Sequence, residues 1–235
     1  MKLRDLFSKL SYGELSNLSI SNEGSGTIAE SAHPRLIHAT NDALRDMFSR
    51  LHLYDRELLI RSLEWKAIYY LRKEHAVMDP TEGPLKYILD TPNNLFTGDV
   101  VKVLGVTNEV GDPLPLNDVE QWASVFTPHF DTVQLTHPGC DQVFAVSYQA
   151  LHPELVLEGE DVLEQEIRIP SLMEEMLRLK VAHSIFSPMS GQDFTARAQQ
   201  LEAAYEMRYV ELGHKNLIGD VGVNTNIKIH LRGFP

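Results

Sequence analysis

Residues 170–213, PSLMEEMLRLKVAHSIFSPMSGQDFTARAQQLEAAYEMRYVELG, constrain the fold more than any other stretch. Ser171 followed by Glu174 has the spacing of a capping box, in which two side chains satisfy free backbone N–H groups, so a helix is expected to start there. Leu172, Met173, Met176, Leu177, Leu179, Val181, Ile185 and Phe186 spread over a wide arc, and a helix this apolar must be touched on several sides. Ser187-Pro188-Met189-Ser190-Gly191 interrupts the run. Phe194, Ala198, Leu201, Tyr205, Tyr209 and Leu212 resume it at spacings of three and four, which predicts a second helix folded back on the first and ending at Gly213.

Upstream, Leu3, Leu6, Phe7 and Leu10 predict a short amphipathic helix, and the polar stretch from Ser11 to Thr27 reads as loop. Pro34 suits the first turn of a further helix of about 18 residues, striped by Leu36, Ile37, Thr40, Leu44, Met47, Phe48 and Leu51. Arg56 to Leu71 fits either period, and its Ile, Trp and Tyr content favours strands. Met78 to Ile169 holds eight of the twelve prolines and several short β-rich runs. Asp99 to Val106 predicts a strand, returned by a turn at Glu109-Val110-Gly111-Asp112. Thr132–Thr136 and Val143–Tyr148 flank a turn sequence and predict a hairpin, and Glu166–Ile169 a last short strand. Asn224 to Leu231 alternates as a strand that needs a partner. The expected architecture is α+β: a helical bundle from residues 1–55 and the hairpin 170–213, an inserted antiparallel sandwich or barrel-like lobe over 56–169, and an extended arm over 214–235.

Chemistry-bearing patterns are sparse. Gly24-Ser25-Gly26 lacks the third glycine and the flanking strand and helix of a dinucleotide loop. Glu30–His33 and Glu211–His214 repeat the E-x-x-H spacing of carboxylate-bridged metal bundles, but Pro34 disfavours helical geometry at His33, and His214 lies past Gly213. Cys140, the only cysteine, excludes an internal disulfide or a multi-thiolate zinc site. Glu158, Glu160 and Asp161 form one acidic loop, the basis of an alternative as a small soluble hydrolase. A regulatory or ligand-binding module is a weaker third reading. No catalytic, metal or cofactor residues are assigned. No apolar run approaches the length of a membrane span and the start does not read as a signal peptide, so assembly in the cytoplasm is expected. A net charge of −12 disfavours gripping nucleic acid. Residues 151–213 carry 12 acidic against 5 basic side chains, whereas Lys215, Lys228 and Arg232 oppose only Asp220 beyond them.

Four strings, taken in order, carry a resemblance: LSYGELSNLSISNEGSGTIAESAHPRLIHATNDALRDMFSRLHL, DVVKVLGVTNEVGDPLPLNDVEQWASVFTP, YQALHPEL, and IPSLMEEMLRLKVAHSIFSPMSG with LEAAYEMRYVELG. Together they resemble the head-to-tail adaptor (connector) proteins of tailed bacteriophages, the tail tubular protein A type of short-tailed phages. The resemblance implies a non-enzymatic virion protein of the neck: a homo-oligomeric ring, commonly of twelve subunits, between portal protein and tail nozzle or tube protein, through which DNA passes without specific binding. It implies that the terminal arm reaches the portal or a neighbour, with Ile227, Lys228, Ile229, Leu231, Arg232 and Phe234 as contacts. On the same basis Glu174, Glu175, Glu202, Glu206 and Glu211 become candidates for the channel or for subunit contacts, where acid repels phosphate.

Overall fold

The computed structural model describes residues 1–16, 18, 28–64, 66–78, 86–92, 94–136, 139, 141–157, 159 and 161–214. These form a mixed α+β protein with four helices, a mixed six-stranded sheet and a three-stranded sheet, neither sheet closing into a barrel. The chain divides into two compact units. Among the described residues, one holds Met1–Leu53 and His152–His214; the other holds Tyr54–Leu151. The terminal arm, with Ile227, Lys228, Ile229, Leu231, Arg232 and Phe234, lies outside the described residues.

In the helical unit, α1 (Leu3–Tyr12) and α2 (His33–Arg50) bury the stripes their spacing predicts: Leu3, Leu6, Phe7 and Leu10 on α1, and Leu36, Ile37, Leu44, Met47 and Phe48 on α2. The Thr40 hydroxyl, in the middle of the second stripe, donates back to the Leu36 carbonyl at 2.7 Å, which permits its full burial. His33 has helical backbone angles despite preceding proline, because a 3-10 turn over Glu30–Ala32 delivers the chain already coiled.

α3 (Glu174–Phe186) and α4 (Gln192–His214) form the expected hairpin with three corrections. Ser171–Met173 is a separate 3-10 turn, and neither it nor α3 has a side-chain cap; the Glu174 carboxylate is taken by Lys9 of α1 instead. α4 continues through Gly213 to His214. The described residues of 152–169, expected in the β-rich lobe, belong to the helical unit. Asn41 of α2 holds them there: its side-chain amide donates to the Leu155 carbonyl at 3.0 Å and accepts the Leu155 N–H at 2.9 Å. Glu166–Ile169 makes no strand; Glu166 forms an isolated bridge with Lys2.

The other unit contains β1 (Asp55–Arg61), β2 (Ile68–Tyr70), β3 (Ala76–Val77), β4 (Ile88–Leu89), β5 (Val100–Thr107), β6 (Pro113–Leu114), β7 (Val125–Phe126), β8 (Thr132–Leu135) and β9 (Val143–Ala150). Their order is β3-β4-β1-β9-β5-β6 in one sheet and β2-β8-β7 in the other, antiparallel except for β3 with β4. The ambiguous run after Arg56 is therefore strand, in two pieces. The β5–β6 return falls where expected: the Asn108 side chain accepts the N–H groups of Val110 (3.0 Å) and Asp112 (2.8 Å), and Gly111 takes φ +88°. The hairpin expected between β8 and β9 does not form. β9 is central, with β1 and β5 on its two edges, so no edge is left for β8, which pairs β2 and β7.

Ser62, fully buried, closes the end of the β1–β9 pair. Its hydroxyl donates to the Gly139 carbonyl and accepts the Gln142 N–H at 2.9 Å, while its own N–H donates to the Gln142 carbonyl at 2.7 Å. Removing the hydroxyl breaks both bonds to the partly shielded Gly139 carbonyl and Gln142 N–H, so Ser62→Ala is expected to cost about 1 kcal/mol in urea unfolding. A loss within error would mean that water replaces it.

At the start of the returning chain, the His152 ring sits edge-on to Phe48, with Nδ1 2.6 Å from the Pro153 carbonyl and Nε2 accepting the Arg168 N–H at 3.0 Å. An accepting Nε2 requires the neutral ring with its proton on Nδ1, and burial lowers its pKa below 6.5. The unfolded chain then binds the proton first, so this contribution to stability is complete above pH 6.5 and is lost as pH falls through the lowered folded value. Thermal melts from pH 8 to 5 are expected to show this acid loss, reduced in His152→Gln.

Candidate functional site

The five glutamates singled out on α3 and α4 are all engaged within the helical unit. Glu174 meets Lys9; Glu175 and Glu211 both meet Arg208; Glu202 lies 3.3 Å from Lys180 and 3.4 Å from His183 Nδ1; Glu206 receives both terminal nitrogens of Arg50, at 2.7 and 2.9 Å. The structure brings Glu202 and Glu206 into one cluster and leaves Glu174 and the Glu175–Glu211 pair separate.

That cluster joins three helices. Asp46 and Arg50 are one turn apart on α2, Lys180 and His183 three apart on α3, and Glu202, Tyr205, Glu206 and Tyr209 follow one edge of α4. The fully buried Tyr205 donates its hydroxyl to Asp46 at 2.7 Å, while Lys180 stands 4.8 Å over its ring. The Arg50 guanidinium stacks 4.3 Å from the Tyr209 ring centroid. Burial, then the bond to Asp46, raises the Tyr205 pKa; the bond from Arg50 lowers that of Glu206. Every charged member faces an opposite charge, so the cluster clamps α4 onto α2 and α3. Sequence reasoning named Glu202 and Glu206 but missed Asp46, Arg50 and Lys180, whose hydrogen-bond partners Tyr205, Glu206 and Glu202 are remote in sequence.

General-acid chemistry needs a carboxyl held above its normal range. Glu164 and Glu206 are both shifted downward, by Lys2 and Arg50 respectively. Asp161 heads a 3-10 turn, its carbonyl accepting the Glu164 N–H at 3.0 Å, while Glu158 and Glu160 lie outside the described residues. Among the described residues, no group of three His, Cys, Asp or Glu side chains is arranged to hold a metal, and no helix is long and apolar enough to cross a membrane.

The β unit has a partly buried ion pair of its own. Arg56 donates to Asp99 at 2.9 Å and Tyr148 donates to the other Asp99 oxygen at 3.1 Å, all three well shielded. Arg56 also reaches Asn94 and the Leu95 carbonyl, both at 2.7 Å, which ties the loop before β5 to β1. A cleft of about 360 Å³ in this unit is lined by Glu109, Val110, Trp122, Ser124, Gln142 and Phe144 among others.

Three buried tyrosines carry raised pKa values, each principally from burial: Tyr87 to about 12, Tyr148 and Tyr205 further still. A raised tyrosine keeps its proton in the fold after the unfolded chain has lost it, so stability is intact below pH 10 and declines as pH rises beyond it. Melts from pH 9 to 12 are expected to fall along this course. Tyr205→Phe, by losing the bond to Asp46, is expected to cost about 1–2 kcal/mol at pH 8 and to flatten the alkaline slope. An unchanged slope would remove Tyr205 from the account.

Set against models of known protein families and against curated proteins, the chain matches none of them.

Proposed function

We propose that this protein is a head-to-tail adaptor of a tailed bacteriophage: a structural, non-catalytic virion protein that forms a ring on the portal protein, receives the tail nozzle or tube protein on its other side, and lets DNA pass. The observation that carries this is the order-preserving resemblance of four strings spread over nearly the whole chain. The fold is compatible with it: helices from both ends of the chain make one unit, and the β-rich segment between them makes another. In this reading the helices form the ring-building bundle, the two sheets form the outward lobe, and the arm over 214–235 reaches the portal or the next subunit through Ile227, Lys228, Ile229, Leu231, Arg232 and Phe234.

The glutamates take a revised part. Because Glu174, Glu175, Glu202, Glu206 and Glu211 are paired with cations of the same chain, repulsion of DNA in a channel rests on the overall charge of −12 rather than on five bare carboxylates. Their clamping keeps α4 presented as a rigid surface.

Mixing the purified protein with portal is expected to give closed rings by negative-stain imaging and a discrete ring mass by native mass spectrometry. A protein that never joins the portal at any salt concentration overturns the proposal. Deleting Asn224–Pro235 is expected to leave helical circular dichroism intact while weakening portal binding; collapse of the helical signal would count against a docking role for the arm.

A further inference from the structure

α4 is apolar on two opposite faces. Ala198, Leu201, Tyr205 and Leu212 are buried against the rest of the helical unit. At 100° per residue, positions 196, 200, 203, 207, 210 and 214 lie on the far side, separated by 4, 3, 4, 3 and 4. That alternation is the seam of a coiled coil, and it carries Ala196, Gln200, Ala203, Met207, Val210 and His214. Met207 is 73% and Val210 51% exposed. They line an open groove of about 560 Å³ with Ala203, Glu206, Glu211 and His214. The three-four spacing calls for a helix as occupant.

We propose that two copies of this chain pair through the outer face of α4, antiparallel, about a two-fold axis level with Tyr205. The seam is self-complementary in that register. Met207 meets the partner's Ala203, His214 meets the partner's Ala196, and Val210 meets the partner's Gln200, so two of the three larger residues enter gaps left by alanines.

Charge selects the same orientation. In a parallel pair, flanking Glu206 would face the partner's Glu211 on both sides of the seam, a like-charge arrangement. In the antiparallel pair, Glu211 faces the partner's Arg197, an exposed guanidinium for which no ion pair is found among the described residues. The two Glu206 carboxylates approach one another at the axis, but each is already held by its own Arg50. A nucleic acid is a poor occupant, since the seam's centre is apolar and its flanks carry glutamates.

A two-fold contact closes on itself and does not propagate a ring. The pairing is therefore a property of the free protein, separate from the adaptor proposal, and its test needs no portal. Light scattering coupled to size exclusion, up to about 200 µM, is expected to show a concentration-dependent dimer. Met207→Glu is expected to weaken that dimer at least tenfold with circular dichroism unchanged, because the side chain it replaces is exposed in the single chain. In a Cys140→Ser background, an oxidised mixture of Ala203→Cys and Met207→Cys chains is expected to yield mainly the mixed disulfide. A monomer throughout, a dimer indifferent to Met207→Glu, or a predominance of homodisulfides, as an in-register parallel pair would give, each overturns the proposal.

Discussion

The helical unit depends on the burial of α3, which has no solvent face: every residue from Met173 to Phe186 is buried or half-buried. Met176, Leu177, Val181, Ile185 and Phe186 supply the apolar part, each worth about 1.5–3 kcal/mol in transfer free energy. The same constraint decides the fate of the polar residues. A half-buried charge without a partner is costly, so Glu174 pairs with Lys9, Glu175 with Arg208, Arg178 with Glu14 at 3.1 Å, and Lys180 with Glu202 and Asp46. Hydrophobic burial draws the other helices around α3, and the ion pairs determine which face of each helix meets it.

The β unit solves a different problem. Its strands are short, and two sheets share one core that includes Ile60, Tyr69, Tyr87, Val106, Val146 and Tyr148. Short strands leave backbone groups over at their ends and edges, and side chains satisfy them. The Tyr87 hydroxyl accepts the Tyr70 N–H and donates to the Tyr70 carbonyl, both at 2.9 Å, which covers the free edge of β2. The Tyr69 hydroxyl accepts the Leu63 N–H at 3.0 Å and donates to the Lys66 carbonyl at 2.7 Å, fixing the link from β1 to β2. Buried tyrosines thus do here what extra strands do in larger sheets.

What was legible in the sequence follows from range. The stripes on α1 and α2 and the wide arc of α3 are local periodicities, and they survive in the fold. The β5–β6 turn is local too, since Asn108 bonds within its own loop. The β8–β9 hairpin failed because strand pairing is a competition among all strands, and β9 had two better partners. The capping box failed because Glu174 had a choice between a backbone N–H and a lysine on another helix. The clamp of Asp46, Arg50, Lys180, Glu202 and Glu206 was half visible: Glu202 and Glu206 announced themselves among the many acids, but their cations Lys180 and Arg50 lie more than 20 positions away on other helices.

The outer seam of α4 escaped notice for a related reason. Amphipathicity is ordinarily read as one apolar side against one polar side. A helix with Leu201 and Tyr205 on one face and Met207 and Val210 on the other cancels that contrast and reads as merely mixed. The ion pairs resolve the ambiguity. Glu202 and Glu206 bond along one flank of α4, and Arg208 and Glu211 along the other, so the charges occupy the two strips between the apolar faces. A helix designed for a single core would carry its charges opposite that core. Charges confined to both flanks, with Glu202, Glu206, Arg208 and Glu211 already paired within the chain, are what a helix needs when each of its two apolar faces is to be covered.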